Sequence, residues 1–298
     1  MKEPSAIGRF RGDWAAQRYL AGYDAAIRDW PVPLEPLDIP TGHGTTRLYR
    51  TGAREGLPVM FLPGMGGNSL GWIHASGPIG AHHPVYLVDP LGTAGRSDQT
   101  APLRDAKDQA LWIREVLDGI DAPRVYLVGF SYGGYMSLVQ AMHTPERVAG
   151  MTLLDPAAFR VAGVAHYAWG FGCGIGMQLP PLLRRPLAKL LYSDSINRVE
   201  DVRVAISGTY LYEGAQPAMV PLTDDELAAI SASTRILFGK HSTMQDSPAV
   251  ARRLARVLPA AEVELVPGTG HAIALDVPDL VNARILEHAA GVARHAGL

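Results

Sequence analysis

From residue 35 onward the chain alternates between short apolar, β-branched runs and longer stretches with apolar residues at helical spacing. The runs at 37–41, 45–51, 59–62, 85–88, 125–128, 148–154, 235–238 and 263–266 predict strands. Runs that are apolar on both faces suit the interior of a mainly parallel sheet covered by helices on each side. The stretches 105–117, 132–143, 248–257 and 278–295 predict amphipathic helices. Strand, helix and strand in alternation, with connections of crossover length, predict right-handed βαβ units. The fold class is therefore α/β: a three-layer sandwich around a mostly parallel eight-stranded sheet. Before the first strand, Phe10, Trp14, Tyr19, Tyr23, Ile27 and Trp30 recur at mixed helical spacings until Pro31 and Pro33 intervene. Residues 1–33 thus form a helical extension docked on the body of a single domain spanning 1–298.

The alternation lapses between 159 and 233, which predicts a cap inserted between two strands of the sheet. Within it, residues 161–183 carry no formal charge. That length is enough to cross a bilayer, but five glycines, two prolines, His166 and Gln178 interrupt the stretch. It reads as a buried or pocket-facing insertion instead.

Charge narrows the partners. With 27 basic and 29 acidic side chains the formal net charge is −2, and no dense Lys/Arg block is present. Neither nucleic acid nor a membrane is expected as a partner. Cys173 is the single cysteine, so no intramolecular disulfide forms. With no apolar leader run at the N-terminus, a cytoplasmic location is expected. His82 and His83 are adjacent and make poor joint ligands, and no His/Cys cluster has metal-binding spacing, so no metal is expected.

The chemistry is written mainly at Gly129-Phe-Ser131-Tyr-Gly133, where a predicted strand runs directly into a predicted helix. A sharp strand-to-helix turn needs small residues two before and two after the nucleophile, and it presents Ser131 at a helix N-terminus. There the backbone N–H of Tyr132 becomes one donor of an oxyanion hole. The glycine-rich loop Leu62-Pro-Gly-Met-Gly-Gly-Asn68 supplies the second, assigned to Met65. A dinucleotide-binding turn in that loop fails at its third glycine, where Ser69 stands. Of ten histidines, His271 alone follows a late strand through a Pro-Gly-Thr-Gly loop, the setting in which an imidazole reaches the serine. The other nine are read as surface or core residues.

These segments, together with Asp89-Pro-Leu-Gly-Thr-Ala-Gly-Arg-Ser97 and Thr144-Pro-Glu-Arg-Val148, resemble the α/β-hydrolase-fold superfamily, in its serine esterase and lipase-like branch. The resemblance runs from about residue 38 to the C-terminus, and its five ordered motifs speak for fold more than for substrate. It implies a triad acid three residues after Gly239, where this chain has Ser242. Asp155, at the end of the strand following the nucleophile helix, is the first candidate for the acid, since some lipase-like relatives place it there. Asp246 is the second, although it precedes Ser247-Pro248 and reads equally as a helix cap; absence of any acid is the third. A serine nucleophile argues against epoxide hydrolase and haloalkane dehalogenase chemistry.

The expected function is hydrolysis of a carboxylic ester, lactone or thioester of a small hydrophobic substrate. Ser131, His271 and Asp155 form the triad, no cofactor is required, and the protein is a monomer or homodimer. Trp169, Phe171 and Met177 are expected to line an apolar substrate site in the cap, alongside Ile175, Leu179, Tyr192, Tyr210, Tyr212 and Met219. Two alternatives stay open: carbon–carbon hydrolysis or cyclisation on the same fold, and a non-catalytic small-ligand-binding protein.

Overall fold

The computed structural model describes residues 6–296. Its sheet is built from β1 (Glu35–Thr41), β2 (Gly44–Gly52), β3 (Val59–Leu62), β4 (Pro84–Val88), β5 (Val125–Phe130), β6 (Val148–Leu154), β7 (Ser233–Gly239) and β8 (Glu262–Val266). The spatial order is β8-β7-β6-β5-β3-β4-β2-β1, with a short ninth strand, Asp98–Gln99, pairing with β2. From β4 to β8 all neighbours are parallel, whereas β2 runs antiparallel to both β1 and β4. Every residue of β3, β4 and β6 is buried, as two-sided burial requires of strands apolar on both faces.

Alternate side chains along a strand enter different layers. Met60 and Leu62 of β3 join the core under helices α3 (Ala106–Gly119), α4 (Tyr132–His143) and α8 (Ser247–Val257). Val59 and Phe61 join the opposite core, under α1 (Asp13–Arg28), α2 (Ile73–Gly80) and α9 (Pro278–Ala296). The N-terminal helix docks at two places. Tyr23 Oη donates to the buried Asp89 carboxylate at 2.7 Å, and α1 packs against α7 (Val199–Leu211). Helix α2 carries no periodic signal, because its Ile73-His-Ala-Ser-Gly-Pro-Ile-Gly80 sequence reads as turn.

Strand order sets the position of the site. The chain passes from β3 to β4 on one side and returns so that β5 lies on the other side of β3, in parallel. At such a switch point the loops leaving the carboxyl ends of neighbouring strands diverge and leave a crevice. Leu62 pairs with Gly129, so the loop after β3 and the turn after β5 face each other there.

Between β6 and β7 the chain forms α5 (Val164–Gly176), α6 (Pro181–Leu191) and α7, and contributes no strand to the main sheet. Its exit, Tyr212–Glu213, pairs antiparallel with Arg9–Phe10. The uncharged stretch is divided between α5 and α6, and among the described residues no helix is long and apolar enough to cross a membrane. Its expected burial is corrected by the structure. Trp169, Cys173, Leu187 and Ala188 pack inward, whereas Val164, Tyr167, Phe171 and Leu182 stand exposed on the other faces.

Candidate active site

Ser131 follows β5 as the N-cap of α4, at φ 51° and ψ −113°. A non-glycine residue in that region costs on the order of 1–3 kcal/mol and persists only when its surroundings hold it. Ser131 N–H donates to Leu154 O at 2.9 Å, and its carbonyl accepts from Gly134 and Ala157 at 2.9 and 3.0 Å. The two glycines of the turn are required by close approach. A Cβ at Gly129 would lie 2.3 Å from Gly133 O, and one at Gly133 would lie 1.9 Å from Leu62 O.

Three side chains carried by three strand ends meet at this turn. His271, in the loop after β8, places Nε2 3.0 Å from Ser131 Oγ. Its Nδ1 lies 2.5 Å from Asp155 Oδ2, at the end of β6. The tautomer in which Nδ1–H donates to the carboxylate leaves Nε2 free to accept the serine hydroxyl. Asp155 is fully buried and also has a positive φ of 44°, and its N–H donates to Leu237 O at 2.8 Å. Ser242, in the position where the acid was expected, donates its hydroxyl to the same Asp155 Oδ2 at 2.6 Å. Because β6 lies between β5 and β7, a carboxylate at its tip reaches both the histidine and the loop after β7. Asp246 does not join this chain of bonds. It caps α8, accepting from Ala249 N–H at 3.0 Å.

The loop after β3 lies beside the serine: an added Cβ on Gly64 would stand 3.5 Å from Ser131 Cβ. Gly67 N–H closes a turn onto Gly64 O at 2.9 Å, and Gly66 N–H donates to Gln216 Oε1 at 2.7 Å. Among the described residues the N–H groups of Met65 and Tyr132 donate to no protein acceptor. The Tyr132 hydroxyl is fixed, donating to Pro217 O and accepting from Gln109 Nε2, both at 2.7 Å. Residues 216–217, in the segment that follows α7, thus brace both loops, a role that no local pattern in the sequence announces.

From α5, the His166 ring stands edge-on to His271 at 4.8 Å and stacks on Trp169 at 5.5 Å. His166 Nδ1 lies 3.2 Å from Thr243 Oγ1. Burial, with the His271 charge as a second cause, pushes the His166 pKa down to about 4, so this ring is neutral at pH 7. His166, Trp169 and Cys173 follow helical spacing on one side of α5, which was the available signal for His166. Trp169 itself stands 5.9 Å from His271. Phe171 is placed elsewhere, on the outer face of α5 and 72% exposed, and Met177 is half-buried at the helix end. Tyr192 stacks on His241 at 3.8 Å and accepts from Gly270 N–H at 2.7 Å, beside His271, while Tyr212 packs edge-on against Phe10. Met219 packs against the α3/α4 core.

A family model described as the alpha/beta hydrolase family matches residues 59–284. The chain is similar to carboxylesterase YbfK of Bacillus subtilis (strain 168), 25% identical over 289 residues, covering 92% of this chain and 94% of that protein. Its fold is similar to that of the naproxen esterase (carboxylesterase NP) from Bacillus subtilis, with a TM-score of 0.81 at 22% identity, over 93% of this chain and 98% of the other. A meta-cleavage product hydrolase from Pseudomonas fluorescens is also similar in fold, with a TM-score of 0.63 at 19% identity, over 85% and 96% of the two chains.

Proposed function

Because the chain belongs to the alpha/beta hydrolase family and is a hydrolytic enzyme of it, we propose that it cleaves carboxylic esters of small hydrophobic substrates through a Ser131 acyl-enzyme. The observation that carries this reading is the continuous chain of hydrogen bonds from Ser131 Oγ through His271 to Asp155. His271 Nε2 takes the serine proton as Oγ attacks the substrate carbonyl, and the imidazolium that forms is stabilised by the buried carboxylate. The carbonyl oxygen, now an oxyanion, lies between the N–H groups of Met65 and Tyr132, which need no reorganisation to receive it. His271 returns the proton to the departing alkoxide. Water then repeats the sequence on the acyl-enzyme, with His271 as base, and releases the carboxylic acid and free Ser131. Trp169 and His166 border the imidazole on the cap side and favour an apolar leaving group there.

The carboxylesterase relative supports an ester over a lactone or thioester. Carbon–carbon hydrolysis drew its support from the unfilled acid position. With Asp155 bonded to His271 and Ser242 turned towards it, that ground is removed. The test is steady-state hydrolysis of short p-nitrophenyl esters by the wild type and Ser131→Ala. The substitution is expected to lower kcat by at least about 10⁴-fold. Equal rates in the two proteins would overturn the assignment.

A further inference from the structure

The uncharged stretch at 161–183 has a property that the catalytic reading leaves unused. Helices α5 and α6 each turn a second apolar face away from the core. On α5 this face is Val164, Tyr167, Phe171 and Ile175, exposed by 86, 67, 72 and 44%. Their spacing keeps them on one side of the helix. On α6 it is Leu182, Leu183 and Leu190, exposed by 85, 50 and 72%. Among the described residues, nine of the thirteen large exposed hydrophobic side chains fall between 161 and 192. Isolated exposed apolar residues are ordinary, but a concentration of this kind marks an interaction surface.

Charge identifies the occupant. Between 161 and 193 the formal charges are Arg184, Arg185 and Lys189, without a single Asp or Glu, in a chain whose net charge is −2. Arg184 turns its Nε to Leu179 O at 2.7 Å. Arg185 and Lys189 are exposed, and helical geometry sets them along one border of the α6 apolar face. An anionic lipid surface satisfies both features. We infer that this face of the cap docks on an anionic bilayer, with the apolar faces of α5 and α6 entering the headgroup boundary and Arg185 and Lys189 meeting the headgroups. Here the inference departs from the expectation of no membrane partner: the stretch lies on the surface rather than spanning it. The inner side of α5 rests on His271 through His166 and Trp169, so docking brings the catalytic centre within about one helix diameter, ~10 Å, of the lipid. The inference holds whatever bond the enzyme cleaves.

The test is co-sedimentation of the full chain with large vesicles of phosphatidylglycerol and phosphatidylcholine, against vesicles of phosphatidylcholine alone. Two double variants accompany it, Leu182→Ser with Leu190→Ser, and Arg185→Glu with Lys189→Glu. Hydrolysis of a soluble short ester serves as the control for folding and should be unchanged in both. The wild type is expected to sediment with the anionic vesicles, with binding falling on the order of tenfold in either variant and with added salt. The inference is overturned if active wild type stays in the supernatant with anionic vesicles, or if both variants bind as it does. It is equally overturned if the wild type is a dimer that the serine pair converts to monomer, which gives the face to a second copy. Should the serine pair lower thermal stability, the charge pair alone decides.

Discussion

Asp155 and Ser242 share a hydrogen bond across 87 positions of sequence, so the residue in the position expected for the acid is turned towards the carboxylate proposed for that role. The carboxylate is fully buried, with Oδ2 receiving both His271 and Ser242 while Oδ1 has no partner among the described residues. A buried charge held by so few bonds depends on each of them. Asp155→Asn is therefore expected to lower kcat by about 10⁴-fold with little change in KM, because it disturbs the tautomer and leaves the imidazolium uncompensated. Ser242→Ala removes the hydrogen bond to the carboxylate, worth about 1.5–3 kcal/mol for a charged acceptor, and the one Ser242 Oγ accepts from Met244 N–H, and kcat should fall by about 10- to 100-fold, less than in Asp155→Asn. Asp246→Ala should leave kcat unchanged and cost about 1 kcal/mol of stability through the lost cap, read as a lower denaturant midpoint. A large kcat loss in Asp246→Ala with none in Asp155→Asn would reverse the assignment of the acid.

At the scale of elements, the insertion between β6 and β7 is fastened to the histidine-bearing part of the chain. Ser195 N–H, in the turn after α6, donates to Asp276 Oδ1 at 2.8 Å, five residues past His271. Burial pushes the Asp276 pKa from its ordinary 3.8 up to about 7. Between those values the folded state holds a proton that the unfolded chain has lost, so stability falls as pH rises from about 4 to 7. Asp276→Asn keeps an acceptor for Ser195 without the charge. Its melting temperature should exceed that of the wild type at pH 8 and match it at pH 4; a gain of the same size at both pH values would contradict this account. His166 works in the opposite sense, because its folded pKa near 4 makes the buried neutral ring a source of acid sensitivity as pH falls from 6.5 towards 4. His166→Gln should flatten the loss of melting temperature over that window. The elements themselves were legible to different degrees. All eight runs predicted as strands lie within strands; in β3, β4 and β6 two-sided burial writes a continuous apolar pattern into the sequence, whereas β1 and β2 are only partly buried. Helix α2 was not legible, since neighbouring layers hold its Gly- and Pro-containing sequence in shape against its propensity. The faces of α5 and α6 were misread because an apolar residue carries no local mark of whether a core or an open surface awaits it.

For the whole molecule, strand order turns local motifs into a site. Ser131, Asp155 and His271 follow β5, β6 and β8, and the loop carrying Met65 follows β3, all at the carboxyl edge of one parallel array. Local sequence showed that each of these loops was unusual. Which loops meet is a property of the winding, and so the Ser242 to Asp155 bond and the brace at Gln216 lay beyond sequence reading. The central claim is that this assembly activates Ser131 as a nucleophile. The most direct test is the intact mass of the wild type and of Ser131→Ala after exposure to a small fluorophosphonate at neutral pH. A single stoichiometric adduct on the wild type and none on Ser131→Ala is the expected result. An unmodified wild type under conditions that label a known serine esterase, or equal labelling of both proteins, would contradict it.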